Sequence, residues 1–215
     1  MIENLRLVEI ELFSYCNRQC GWCTNSIVDR HSQNIEMEDD IFMRLLFELK
    51  EAGYKNPITF SRYNEPTSHI DIFGRRLEQI KWILPDNKLV TNTNGDFLSK
   101  EMLELSIDEL TIMDYDRKGV DACAKRLQRY GAVIEDIDYP YVYARKYNME
   151  ILYHVDWPGE RVVTDRGGAL EKYKGDERKR TCMEPTYFVG INYDGTVSPC
   201  CNIRNDVART KPYII

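Results

Sequence analysis

Three cysteines, Cys16, Cys20 and Cys23, fall in the run Cys-Asn-Arg-Gln-Cys-Gly-Trp-Cys. A C-x3-C-x2-C spacing lets one loop present three thiolates to one metal centre. Closed zinc and iron–sulfur sites take four protein ligands. A centre held by three therefore keeps one position for an outside ligand, which makes the triplet a candidate catalytic group as well as a metal-binding one. Cys123, Cys182, Cys200 and Cys201 bring the total to seven. An odd count in clustered spacings points to metal ligation in a reducing compartment rather than to disulfides. The N-terminus Met-Ile-Glu-Asn-Leu-Arg carries neither a long apolar stretch nor a small-residue cleavage site, so a cytoplasmic location is expected.

Two more short motifs carry polar side chains in suggestive places: Tyr63-Asn64-Glu65-Pro66 and Thr93-Asn94-Gly95. Asp114 and Asp116 are candidates for binding hydroxyl groups, with simple loop solvation as the alternative. His154 and Asp156, beside Trp157, are candidate pocket residues, and Arg166 with Gly167-Gly168 is a candidate anion holder. Tyr139, Tyr141, Tyr143 and Tyr147 form an aromatic stretch that reads as packing, a lid or a partner surface. His31 and His69 have no informative context.

Hydrophobic periodicity supplies the elements that must position these groups. Leu7–Phe13 reads as a strand running into the cysteine loop. Glu36–Gly53 reads as a helix, with an acidic first turn and glycine at its stop. Ile58–Arg62 is a short strand, His69–Leu84 a helix ended by Pro85, and Lys88–Thr93 a strand closed by Asn94-Gly95. Ser99 caps an expected helix through Leu105. Glu109–Tyr115 is a strand, Asp121–Tyr130 a helix stopped by Gly131, Ala132–Asp138 a strand, and Met149–Val155 another. Tyr187–Pro199 reads as a hairpin turning at Asp194-Gly195, and Asp176–Arg180 as solvated surface.

Alternating strands and helices imply βαβ units and a parallel sheet. The repeats are too few for a full eight-fold barrel, which takes about 250 residues. The expected fold is therefore α/β, a partial (β/α)6-type barrel with a small C-terminal β-hairpin extension. Residues 1–160 form the expected core and 161–215 the extension. The cysteine loop and both polar motifs fall at C-terminal strand ends, where ligands gather in such folds.

A length of 215 residues suits one sizeable core, and 30% charged residues with a net charge of -6 argue against a general nucleic-acid binder. No apolar run reaches the roughly 20 residues of a membrane span. No nucleic acid and no membrane are therefore expected as partners.

Taken together, the motifs resemble the radical SAM superfamily. C-x3-C-x2-C with an aromatic, here Trp22, before the third cysteine is similar to that family's signature. Asn64-Glu65-Pro66 is similar to its Gly-Glu-Pro motif, with asparagine in place of the usual glycine, and Thr93-Asn94-Gly95 to its Thr-Asn-Gly. The resemblance covers roughly residues 7–155. It implies a [4Fe–4S] cluster on Cys16, Cys20 and Cys23, with S-adenosyl-L-methionine on the open iron. It also implies cofactor-binding roles for Trp22, Asn64, Glu65, Pro66, Thr93, Asn94 and Asp114. Glu65 becomes a candidate partner of the cofactor's ammonium. The electron donor implied is a flavodoxin or ferredoxin.

The tail offers a second resemblance. Cys182, Gly195 and Cys200, with Cys201, are similar to the opening of a SPASM/twitch auxiliary-cluster motif, whose later cysteines this sequence lacks. A second iron–sulfur cluster, or zinc, on Cys182, Cys200 and Cys201 is the implied expectation, in a segment that is incomplete.

The chain begins almost at its first strand, without a leader-binding domain. That favours a small polar substrate, such as a sugar, aminoglycoside or amino-acid-like metabolite, undergoing dehydrogenation or epimerisation. In epimerisation Cys201 and Cys123 are candidate hydrogen donors. The alternatives are a peptide substrate, as in maturation of a ribosomally made peptide, and a zinc-stabilised binding module.

Overall fold

The computed structural model describes residues 4–157, 164–175, 179–208, 210, 212 and 214–215. Nine strands form one sheet. They are β1 (Leu7–Ile10), β2 (Ile58–Thr59), β3 (Leu89–Thr93), β4 (Glu109–Met113), β5 (Val133–Asp138), β6 (Tyr141–Lys146), β7 (Met149–His154), β8 (Phe188–Ile191) and β9 (Val197–Ser198). Their spatial order is β5-β6-β7-β4-β3-β2-β1-β8-β9. The run from β7 through β8 is parallel throughout, and β5, β6 and β9 add antiparallel edges. Six parallel strands in an open α/β sheet make the expected partial barrel.

The helices are α1 (Asp39–Glu51), α2 (Ile70–Ile83), α3 (Val120–Arg129) and the single turn α4 (Glu184–Tyr187). In α1, Asp39 and Asp40 face the positive end of the helix dipole, Lys50 the negative end, and Phe42, Leu46 and Leu49 form the buried stripe. Gly53, at φ 71°, lets the chain turn out of it. In α2 the stripe is Phe73, Leu77, Ile80 and Ile83. These stripes join Val8, Ile10, Ile58, Leu89, Leu110 and Ile112 in one continuous core on the helix side of the sheet.

Strand alternation therefore turns Glu9, Val90, Asn92, Glu109, Thr111 and Met113 to the other face. Register aligns them in rows: Glu9 opposite Thr59, Thr59 opposite Val90, and Asn92 opposite Thr111. This inner face is largely polar, and the C-terminal ends of its strands carry the site. No helix among the described residues is long and apolar enough to cross a membrane.

Three local expectations change. The helix expected from Ser99 to Leu105 is a 3-10 turn, Met102–Glu104, with Ser99 Oγ accepting from the Met102 N–H at 3.2 Å. Ala132–Asp138 is a strand, but an antiparallel one, because the tyrosine stretch itself forms β6 and folds back on it. Tyr139-Pro140 makes that turn, so no crossover helix intervenes. The hairpin at Asp194-Gly195 forms as expected, and β8 then inserts beside β1, so residues beyond 161 complete the core sheet. Of the charge run 176–180, residues 176–178 lie outside the described residues.

Candidate active site

A cavity of about 280 Å³ opens at the C-terminal ends of the parallel strands. Cys16, Cys20, Cys23 and Trp22 line it from the loop after β1; Asn64 and Glu65 from the loop after β2; Thr93 and Asn94 from the end of β3. Glu9, Ser61, Arg62 and Asn92 form its inner-face floor, Met113 and Tyr115 another wall, and Arg166 and Cys201 come from the tail.

The cysteine loop is held by its neighbours. Cys16 N–H donates to Arg30 O at 3.0 Å, and Cys23 N–H to Cys20 O at 2.9 Å. Arg18, between the first two cysteines, donates to Asp96 from Nε (2.6 Å) and Nη2 (2.5 Å), and to Asp116 from Nη1 (2.9 Å) and Nη2 (2.8 Å). Asn94 Nδ2 donates to Asn17 Oδ1 at 2.8 Å. The Thr93-Asn94-Gly95 turn thus grips the cysteine loop. Gly95 is required there: its φ is 74°, and an added Cβ would sit 2.7 Å from Ile112 Cγ2.

Burial pushes the Cys16 thiol up to about 12 and the Cys20 thiol up to about 11, with the other thiols of the triplet adding to the shift. Three partly desolvated thiols that repel one another's charge form a donor set completed by a cation. Among the described residues no three His, Cys, Asp or Glu side chains converge on a single-ion position. A cubane cluster takes one thiolate per iron and does not need that convergence. The triplet fits such a cluster.

Glu65 is buried and joins three loops. Its Oε1 accepts from Thr93 Oγ1 (2.5 Å), Thr67 Oγ1 (2.6 Å) and Thr67 N–H (3.1 Å), and its Oε2 from Asn94 N–H (2.8 Å). Burial raises its pKa against these bonds. Beside it, the Asn64 carboxamide is buried, with neither Oδ1 nor Nδ2 hydrogen-bonded. Trp22 and Tyr115 pack with ring centres 5.5 Å apart, forming an aromatic corner.

At the floor, Arg62 Nη1 donates to Glu9 Oε2 at 2.9 Å and Nε to Asn192 Oδ1 at 2.9 Å. Burial is the main reason the Glu9 carboxyl rises to about 7, against the pull of Arg62.

Several expected site residues stand elsewhere. Asp114 does not line the cavity: it is buried and caps its own loop, accepting from Asp116 N–H (3.2 Å) and Lys118 N–H (2.6 Å). Pro66 starts the buried 3-10 turn Pro66–Ser68 and shapes the loop rather than facing the cavity. Cys123 is fully buried, its Sγ 3.7 Å from Asp114 Oδ2. His154 packs 4.6 Å from the Tyr141 and Trp157 rings, outside the cavity lining. Of the tail cysteines only Cys201 lines the cavity, and Cys182 is exposed. As at the first triplet, no three His, Cys, Asp or Glu side chains among the described residues converge there on a single-ion position.

Glu9, Arg18, Ser61, Arg62, Asn92, Met113 and Tyr115 were not legible as site residues from motifs. Glu9 carries the one retrievable signal: it is a carboxylate alternating with Val8 and Ile10 in an otherwise apolar strand.

No family model matches the chain. A curated protein of Niallia circulans, "S-adenosyl-L-methionine-dependent 2-deoxy-scyllo-inosamine dehydrogenase", is 28% identical over 198 residues, covering 90% of this chain and 72% of that protein. This chain is an oxidoreductase-type enzyme. A solved structure of BtrN in complex with AdoMet and 2-DOIA is 22% identical, with a TM-score of 0.67, over 92% of this chain and 74% of that one. BtrN in an open conformation follows at 21% identity and a TM-score of 0.58, over 94% and 72%. Both share its fold. These findings correct the resemblance drawn from motifs. In place of the superfamily and SPASM/twitch resemblance, the similarity found is to an S-adenosyl-L-methionine-dependent dehydrogenase and to the BtrN structure.

Proposed function

We propose that the protein dehydrogenates a small polar alcohol, of the aminocyclitol or sugar kind, using S-adenosylmethionine and a [4Fe–4S] cluster on Cys16, Cys20 and Cys23. The observation that carries this reading is the gathering of three free thiols, an orphaned buried carboxamide and a polar floor in one cavity. The dehydrogenase relative supports it, since its name combines the same cosubstrate with an amino-polyol. Cys16, Cys20 and Cys23 would hold the cluster, which, reduced by a donor such as flavodoxin or ferredoxin, would supply the electron for reductive cleavage of S-adenosylmethionine and so the radical chemistry for hydrogen abstraction from substrate.

The protein's own residues do the rest. Arg18, Asn17 and Asn94 fix the cysteine loop against the β3 turn. Trp22 and Tyr115 offer a stacking surface for an adenine. Ser61, Asn92 and Arg62 present hydroxyl, amide and guanidinium groups on the inner face, matching a polyol rather than an apolar substrate. Oxidising an alcohol carbon releases a hydrogen atom, a proton and an electron. Glu9, with its carboxyl raised to about 7, is placed to hold the proton, and the electron would leave to an external one-electron carrier of the flavodoxin or ferredoxin kind.

The test is anaerobic turnover of the reconstituted protein with dithionite and 2-deoxy-scyllo-inosamine. Stoichiometric 5′-deoxyadenosine and ketone product support the reading. Cleavage that responds only to a peptide would transfer the site to peptide modification.

A further inference from the structure

Between Cys16 and Cys20 the chain places a cation, Arg18, whose side chain lines the cavity beside the three thiols. Asn17 already ties this loop to the β3 turn, accepting from Asn94 Nδ2 at 2.8 Å and donating to Asp96 Oδ2 at 2.6 Å. Arg18 adds charge to that anchor. It bridges Asp96 and Asp116, and Lys118 Nζ stands 3.0 Å from Asp116 Oδ2. Two cations and two carboxylates make the network neutral as a whole, but its charge is unevenly spread. Arg18 alone of the four lines the cavity. Its side chain is 20% exposed, against 44% for Asp116. The guanidinium packs on the cavity wall, with Cζ 5.6 Å from the Tyr115 ring centre. The network therefore turns its positive end to the thiols and its negative end away from them. Four hydrogen bonds fix that orientation, so the charge cannot swing out to solvent.

We infer that Arg18 sets the reduction potential of the cluster on Cys16, Cys20 and Cys23, favouring the reduced form by its charge. The inference rests on the reading of the triplet as a cluster site. Reduction adds one negative charge to a thiolate-bound iron–sulfur core, and the surrounding charge, hydrogen bonds and exposure set the potential. A largely buried cation held in place stabilises that added charge more than a mobile, screened surface cation does. Asp96 and Asp116 act in the opposite sense, but from behind the guanidinium. Arginine stays protonated at every working pH, so the bias is permanent. Arg18 thus eases electron transfer from a carrier of the flavodoxin or ferredoxin kind, a role separate from holding the loop.

The test is a potentiometric titration, followed by electron paramagnetic resonance, of the anaerobically reconstituted protein without S-adenosylmethionine. Arg18→Gln should make the cluster harder to reduce. At a fixed potential the ratio of reduced to oxidised cluster should fall roughly 10-fold, a shift of about 59 mV for one electron. Arg18→Lys keeps the charge and should stay close to wild type. Asp96→Asn removes an anion and should shift the potential upward. An unchanged potential in Arg18→Gln would overturn the inference, as would an equal fall in Arg18→Lys, since either means that the guanidinium only holds the loop. Where Arg18→Gln retains no iron, Asp96→Asn decides: an upward shift supports the inference, and an unchanged or lower potential overturns it. A wild-type protein that takes up no cluster would overturn the cluster reading, and the inference with it. Iron and sulfide content and the melting of each variant separate an altered potential from a damaged site.

Discussion

Arg204, in the tail, donates from Nη1 to Thr24 Oγ1 at 2.5 Å and to Asn25 Oδ1 at 2.7 Å, pinning the residues that directly follow Cys23. The guanidinium is fully buried, its Nε and Nη2 each 2.6 Å from the Asp206 carboxylate, and it lies 4.2 Å from the Tyr63 ring centre. Arg30 donates to the same Asp206 at 2.6 Å and to Glu11 at 3.1 Å. The tail around Arg204 and the cysteine loop are thus one buried polar network.

Removing one member of such a network strands the others. Arg204→Met should lower stability by about 3–5 kcal/mol. It should also reduce the iron retained on reconstitution, because Thr24 and Asn25 lose their anchor. Thermal melting and iron content of the purified variant check both effects. Arg204→Lys should rescue only part, since an ammonium lacks the planar fork that reaches Asp206 and Thr24 together.

The Arg18 clasp makes an acid-side prediction. Hydrogen bonds from Arg18 and Lys118 hold the Asp116 carboxyl well below the usual range. Asp96 is raised by burial, but bonds from Arg18 and Asn17 outweigh this and leave it lowered. Folded pKa values below the unfolded ones mean the contribution is complete above about pH 4 and is lost as pH falls through the folded values. Melting temperature followed from neutral pH to pH ~3 should fall less in Arg18→Ala than in wild type, because the variant has no clasp to lose.

Glu9 works in the opposite direction. Burial raises its carboxyl to about 7. Its effect on stability is therefore absent below the unfolded pKa of about 4.3 and grows as a penalty while pH rises toward neutrality, where the folded carboxyl also ionises. Glu9→Gln should flatten that part of the stability profile between pH 5 and 8. The same variant should lose dehydrogenated product while still forming 5′-deoxyadenosine.

Gly190 faces Glu9 across the β1–β8 pair, and a Cβ there would stand 2.2 Å from Arg62 Nη1. Gly190→Ala must push Arg62 off Glu9 and Asn192. We expect a loss of about 1–3 kcal/mol and weaker substrate binding, read by thermal melting and by the KM for substrate.

The sequence disclosed those parts of the molecule that repeat a local rule. Apolar spacing marked α1 and α2, β-branched runs marked β1 and β3, and the cysteine spacing marked one wall of the cavity. The fold-back at Tyr139-Pro140 was hidden because alternating tyrosines serve packing and pairing equally well. Asp114 looked like a ligand because strand ends bear ligands, yet a short acidic side chain at a turn caps backbone N–H groups as readily. Arg62, Arg204 and Tyr115 reach the site only through long-range folding: the Arg204–Thr24 bond spans 180 residues. No local pattern announces such a contact.

The most direct test of the central claim is 5′-deoxyadenosine formation from S-adenosylmethionine by anaerobically reconstituted protein with dithionite. The account predicts a brown, iron-containing protein that forms it, loss of that product in Cys16→Ala, and retention in Cys123→Ala. A colourless wild-type protein that holds zinc and never cleaves S-adenosylmethionine would contradict it.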